Sequence, residues 1–148
     1  MLQKDKLATA AGLDLGYSEW VTVTQAQIDA FADLTEDWQP IHLDPSAAKA
    51  AGYTATVAHG FLTLSMLSKM IYDVLPGVEG ESASINYGFD KVRFIAPVHA
   101  GDKMRARFSI AETQPRGPDW MLRIDVAVEI ENRERPALIA DWLCLYTF

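Results

Sequence analysis

The sequence predicts an α+β fold in which an antiparallel sheet curls around one long, buried helix. Three observations carry that prediction. From about Val57 to Leu75 the apolar residues, among them Phe61, Leu62, Leu64, Met66, Leu67 and Met70, fall on every side of a helix, and a helix apolar on most sides is buried on most sides. Beyond residue 80 the spacing changes to the two-residue alternation of strands. The chain has 148 residues, 49% of them apolar, which is enough for one core and short for two.

Residues 1–18 are mixed and punctuated by Gly12 and Gly16. They are expected to form a loosely ordered lead-in, with the folded domain spanning 19–148. EWVTVT, residues 19–24, alternates strong β-formers and reads as a short strand. Thr24 and Gln27 hold the capping-box spacing, so a helix is expected over QAQIDAFADLT, with Ile28, Phe31, Ala32 and Leu34 on its apolar face. TEDWQP stops that helix, because Pro40 removes a donor and biases Gln39 away from helical dihedrals. Asp44 and Pro45 begin another, as N-cap and first residue, and Gly52 ends it. The central helix, about 28 Å long at 1.5 Å per residue, stops at Pro76-Gly77. Four β-rich stretches follow: SASINYGFDKVRFI, KMRARFSIAETQ, WMLRIDVAVEIENR and ALIADWLCLYTF. The turn signals PVHAGD, PRGPD and NRERP separate them, so a meander of long antiparallel strands is expected.

Composition narrows the function. The net charge is −7 and the sequence pI about 4.8, which argues against nucleic acid or an anionic membrane surface as partner. The single cysteine, Cys144, excludes an internal disulfide and any multi-Cys metal site. No signal-peptide pattern and no long uninterrupted apolar run is present, so the chain reads as soluble and cytoplasmic.

Two clusters carry chemistry. TEDWQPIHLD, residues 35–44, puts Asp37 and His42 five positions apart. On a continuous helix they would point about 140° apart, and on a strand they would take opposite faces, about 16 Å apart. Only a turned loop brings them together, and Pro40 supplies a turn. A carboxylate and an imidazole so joined could hold one water, one orienting or deprotonating it and the other exchanging a proton with substrate. The plain alternative is a solvated link between two helices, with Asp44 acting as a cap. In the second cluster, TVAHGFLTLS, Gly60 lies in the first turn of the buried helix. Free backbone N–H groups there could stabilise an oxyanion, and Gly admits a ligand without a Cβ clash. Alternatively, Gly60 eases a tight contact between helix and sheet.

Together, FADLTEDWQPIHLDP and VAHGFL resemble the MaoC-like (R)-specific enoyl-CoA hydratases of the hot-dog fold superfamily, whose pattern is F-A-x-x-[ST]-x-D-x-N-P-[IL]-H-x-D-P followed by a helix start with His-Gly. Gln39 stands where most members have Asn. That Gln, with HGFLTLS and INYGFDKVRFIAPV, is most similar to the nodulation protein N branch, and the likeness runs from about Trp20 to the C-terminus. The resemblance implies a single hot-dog domain and reversible syn addition of water to a trans-2-enoyl-CoA, giving the (R)-3-hydroxyacyl-CoA. Asp37 and His42 would activate the water, and the Gly60 N–H would polarise the thioester oxygen. It implies no metal and no redox cofactor, with CoA as part of the substrate, and a homodimer joined at sheet edges. A hot-dog acyl-CoA thioesterase and a non-catalytic acyl-CoA-binding subunit are the competing functions.

Further positions are more ambiguous. Ser68 would line the substrate pocket or pack the helix, and Ser65 lies one turn earlier on nearly the same face. Asn86 and Tyr87 would approach the pocket or fill the sheet. His59 is expected to hydrogen-bond locally at the loop–helix junction, and His99 to be solvated. Of Lys91, Arg93, Lys103, Arg105 and Arg107, one or two could meet CoA phosphates while the rest form a solvated face.

Overall fold

The computed structural model describes residues 1–148. After a 3₁₀ turn at Lys4–Thr9, the chain forms β1 (Asp14–Tyr17), β2 (Val21–Thr22) and α1 (Gln25–Thr35). Two short helices, α2 (Pro40–Leu43) and α3 (Pro45–Ala50), lead to the central segment, α4 (Gly60–Ser65) and α5 (Leu67–Ile71). The long strands are β3 (Ala83–Phe94), β4 (Lys103–Arg116), β5 (Asp119–Ile130) and β6 (Leu138–Thr147).

All six strands lie in one antiparallel sheet of order β1-β4-β5-β6-β3, with β2 also paired to β4. The expected α+β architecture is present, but the expected simple meander is not. β4, β5 and β6 do follow one another. β3 instead joins β6 at the far edge, and the segment after Phe94 runs beside residues 57 and 58, just ahead of α4. Ala58 donates to Val98 O at 2.7 Å there, and Val57 bridges His99. The β4–β5 hairpin closes through Gly117, whose φ of +64° suits a residue without Cβ at the first turn position.

Alternation along β4, β5 and β6 builds the core. Met104, Ala106, Phe108 and Ile110 of β4, with Leu122, Ile124, Val126 and Val128 of β5, share one buried face. Leu62, Leu67, Met70 and Ile71 of α4 and α5 join that cluster. Their burial against the sheet, at about 1.5–3 kcal/mol per large side chain, holds the helical segment in place.

Three expectations need correction. Residues 1–18 are not a loose lead-in: Leu7 is fully buried, and β1 pairs with β4 through Gly16↔Phe108. The central helix is shorter than expected and irregular. Residues 57–59 precede the helix, and Met66 interrupts its regular geometry as a turn, although the Met66 N–H still reaches the Leu62 carbonyl at 3.1 Å and its own carbonyl accepts from Met70 at 3.0 Å. One residue earlier the Ser65 hydroxyl bonds the Phe61 carbonyl at 2.7 Å, a back-bond that bends helices. Nor is the helix apolar-buried all round, since Phe61 is 69% exposed. On α1, Ile28 and Ala32 are buried as expected, but Leu34 is exposed.

Candidate active site

The TEDWQPIHLD loop is assembled by caps at both ends. The capping box predicted for α1 is present: the Gln27 N–H donates to Thr24 Oγ1 at 3.2 Å, and the Thr24 N–H donates to Gln27 Oε1 at 3.0 Å. At the other end Glu36 adopts left-handed dihedrals (φ 59°), and the N–H groups of both Glu36 and Asp37 return to the Ala32 carbonyl. The helix therefore ends before Pro40 is reached. Pro40 has a different task from the one expected of it: it opens α2, in the first helical position, where its fixed φ and missing N–H cost nothing. His42 rides on that single turn. Asp44 caps α3 as predicted, accepting from the Ser46 N–H at 2.8 Å.

This reversal brings Asp37 and His42 together. Ligand-type atoms of Asp37, His42 and His59 all lie within 4.8 Å of one another. His42 is buried, and its Nδ1 lies 2.5 Å from the Val57 carbonyl. A carbonyl can only accept, so Nδ1 carries the hydrogen, and the tautomer with its single hydrogen there has its lone pair at Nε2. The Asp37 side chain is half exposed. Its Oδ1 faces the Gln39 N–H at 3.4 Å. Gln25 steadies the floor by donating to the His42 carbonyl at 2.8 Å and accepting from the Thr56 hydroxyl.

His42 and Gly60 line one cavity of about 290 Å³, closed by Tyr53, Thr63, Phe94 and Val98. The Gly60 and Phe61 N–H groups have no acceptor within the chain. A Cβ at Gly60 would sit 3.0 Å from Phe94 Cε1. Glycine at this position therefore serves a tight approach of helix to sheet, and it also leaves an open N–H beside the imidazole.

Ser68 and Asn86 meet each other, Nδ2 donating to Oγ at 3.3 Å. They do so in a different hollow, of about 120 Å³, which they share with Tyr72, Trp142 and Cys144. Neither lines the cavity of His42 and Gly60. Ser68 is eight residues beyond Gly60, a helical rise of about 12 Å. Tyr87 is 60% exposed. Of the five cations after INYG, three are committed: Arg105 to Glu129, Arg107 to Asp14 and Lys103 to Glu131. Lys91 and Arg93 make no ion pair. His99 is buried rather than solvated, because Arg133 donates to its Nδ1 at 3.0 Å and Asp102 lies beside it.

Sequence reading missed Gln25, Thr56 and the Val57 carbonyl, which act across 15 to 31 positions with no motif to mark them. His59 Nε2 lies 3.0 Å from the Asp37 carbonyl, so it carries the hydrogen and has no lone pair to offer.

Residues 6–126 match the MaoC like domain family. Nodulation protein N of Rhizobium leguminosarum bv. viciae is 47% identical over 139 residues, covering 93% of this chain and 86% of that protein. 3-Hydroxyacyl-thioester dehydratase Z of Mycobacterium tuberculosis (strain ATCC 25618 / H37Rv) is 40% identical over 141 residues, covering 95% and 93%. Among solved structures, the (R)-hydratase from A. caviae involved in PHA biosynthesis superposes with a TM-score of 0.74 and 25% identity, covering 90% of this chain and 94% of that one. With a single hot-dog domain and a family match across most of its length, the chain belongs to the MaoC-like dehydratase and hydratase family.

Proposed function

We propose that the protein is an (R)-specific enoyl-CoA hydratase, adding water reversibly to a trans-2-enoyl-CoA to give the (R)-3-hydroxyacyl-CoA. The observation that carries the reading is the clustering of the Asp37 carboxylate with the His42 ring, whose ligand-type atoms lie within 4.8 Å of each other; with the Val57 carbonyl taking the Nδ1–H, Nε2 is the nitrogen left to meet a water. One water bridging Nε2 and the carboxylate loses a proton as its oxygen bonds to C3. The pair returns that proton to C2, so water is added whole and nothing is oxidised or reduced. The thioester oxygen, which gains charge on the way, takes the Gly60 N–H, and a donor of this kind contributes about 3–4 kcal/mol to the transition state. The scheme uses no metal and no redox cofactor. Lys91 and Arg93, the cations left unpaired on β3, are the residues of that strand suited to the CoA phosphates.

A second copy of the chain belongs to this reading. β3 is an edge strand exposed along nearly its whole length, and Ile85, Tyr87, Phe89 and Phe94 are exposed on it. Pairing two such edges removes an aggregation-prone surface. Sedimentation as a monomer at micromolar concentration would count against it.

The test is incubation with crotonyl-CoA while enoyl-thioester absorbance and free thiol are followed together. Loss of absorbance without thiol is expected, with (R) product. Thiol release in its place would make the protein a thioesterase. Asp37→Asn and His42→Ala should each lower kcat by about 10²–10⁴-fold, the usual worth of a general acid or base. Unchanged turnover in both would point to a non-catalytic acyl-CoA-binding subunit.

A further inference from the structure

His59 touches both side chains to which the reaction has been assigned. Its ring stacks on His42 with centroids 3.8 Å apart and planes at 25°. On another side Phe31 packs at 4.9 Å, tilted by 51°. Its Nε2–H donates to the Asp37 carbonyl at 3.0 Å, and Asp37 Oδ2 lies 4.0 Å away. Nδ1 is buried without any partner. The only nitrogen of His59 in use is the one that reaches Asp37.

His59 also occupies the N-cap of α4 and makes no side-chain cap bond there. Ser, Thr, Asp or Asn at an N-cap stabilises a helix by about 1 kcal/mol, so a residue selected for folding alone would have been one of those. The helix forgoes the cap, and the side chain spans the loop to Asp37 instead. The Asp37 backbone is thereby fixed on both sides, its N–H on the Ala32 carbonyl at 3.1 Å and its own carbonyl under His59. The His42 ring is fixed likewise, by Val57 at its edge and His59 on its face.

We propose that His59 is a positioning residue for the Asp37–His42 pair, holding the carboxylate and the imidazole at the spacing at which one water bridges them. It acts through its Nε2–H and its flat face, without touching the reacting atoms. The proposal rests on the hydratase reading for the meaning of lost turnover, while the hydrogen bond itself stands apart from it.

Two variants separate positioning from filling. His59→Phe keeps the ring, the stack and the bulk and deletes the donor. His59→Gln keeps a donor where Nε2 sits and deletes the ring. A core filler would tolerate Phe and suffer from Gln. A positioning residue should give the reverse: kcat down on the order of 10–100-fold in His59→Phe with KM within about threefold, as expected for a reacting group displaced by an ångström or less, and turnover largely recovered in His59→Gln. Wild-type kcat in His59→Phe, or His59→Gln no better than His59→Phe, overturns the proposal. ¹⁵N spectra of the wild-type imidazoles give a reading that needs neither variant to fold. They should show His59 as the Nε2–H tautomer and His42 as the Nδ1–H tautomer. His59 found as Nδ1–H overturns the proposal whatever the kinetics. If the wild type hydrates no enoyl thioester but both tautomers are as stated, the assignment of function falls and the positioning contact stands.

Discussion

Gly60→Ala separates two roles that one glycine combines. The added Cβ would lie 3.0, 3.1 and 3.3 Å from Cε1, Cδ1 and Cζ of Phe94, where ordinary carbon contacts are about 3.5–4.0 Å. The ring must therefore move by about 0.5–1 Å. Trapped in a core, such overpacking costs about 1–3 kcal/mol. Phe94 is not trapped: it is 52% exposed, and its edge-on neighbour Phe61, 6.2 Å away, is 69% exposed. Swinging the ring should cost at most the ~1 kcal/mol of an unfavourable rotamer. Ala in place of Gly in a helix returns about 0.5–1 kcal/mol. The two nearly cancel, so the melting temperature should stay within about 4 °C of wild type. Activity should not be spared, because the methyl group and the displaced ring both crowd the Gly60 N–H. Loss of one oxyanion donor predicts a fall of about 10²–10³ in kcat. Calorimetry and enoyl-CoA hydration rates measure the two effects. Adding Phe94→Ala should restore the part of the loss that is due to the ring and leave the part due to the methyl. Destabilisation beyond about 3 kcal/mol would show that the ring is locked. Wild-type turnover would show that the Gly60 N–H is not used.

Three further expectations concern the scaffold. Burial pushes the Cys144 thiol from 9.0 up to about 12 and also raises the Tyr146 phenol. The native state therefore keeps protons that the unfolded chain releases, so stability is full below pH 9 and falls as pH rises toward 12. The thiol alone contributes about 1.4 kcal/mol per pH unit to that fall, on the order of 4 kcal/mol in all; urea titrations at stepped pH should show Cys144→Ala flattening the slope. Thr24→Ala removes the Oγ1 acceptor of the Gln27 N–H and leaves the reciprocal bond from the backbone N–H of residue 24 to Gln27 Oε1; it should cost about 1 kcal/mol, read as a lower denaturant midpoint at unchanged m. Met70→Ala, at a fully buried position of α5, should cost about 2–5 kcal/mol; a loss below 1 kcal/mol in the same assay would mean that the central segment can collapse onto the sheet.

What could be read from the sequence was local. Thr24 with Gln27 and Asp44 with Pro45 announce helix starts because a cap lies within three residues of the groups it satisfies. The four long strands are legible because alternation and turn residues are neighbours in the chain. Non-local arrangements were not legible. β3 could have paired with β4 as easily as with β6, and no side-chain pattern records the choice. Leu34 and Phe61 fit an apolar helical face, yet both are exposed, since periodicity says which residues align and not how wide a face is covered. His99 looked like a turn residue because its partner Arg133 is 34 positions away. The first 18 residues looked loose for the same reason: Leu7 and β1 acquire their meaning only against β4 and Val78.

The TEDWQPIHLD loop shows where local and distant information join. Spacing alone established that Asp37 and His42 needed a turn between them, and Pro40 seemed to provide it. In the structure the turn is divided among three devices. Glu36 ends α1 in a left-handed conformation, Pro40 begins α2, and Gln39 links the two through its backbone, its N–H facing Asp37 Oδ1 and its carbonyl accepting from the His42 N–H at 3.0 Å. The Gln39 side chain makes no hydrogen bond within the chain, and the residue is exposed. Position 39 thus contributes a dihedral angle and two main-chain groups, which Gln supplies as well as the Asn found in most of the family. That accounts for a departure from the family pattern which side-chain chemistry could not explain. It also means that the geometry of the Asp37–His42 pair is set by main-chain bonds and the two imidazole contacts. Tolerance to substitution should be high at 39, where the side chain is exposed and unpaired, and low at 40, 42 and 59, where a fixed φ, a carbonyl-bound ring and a carbonyl-bound N–H have no substitutes nearby.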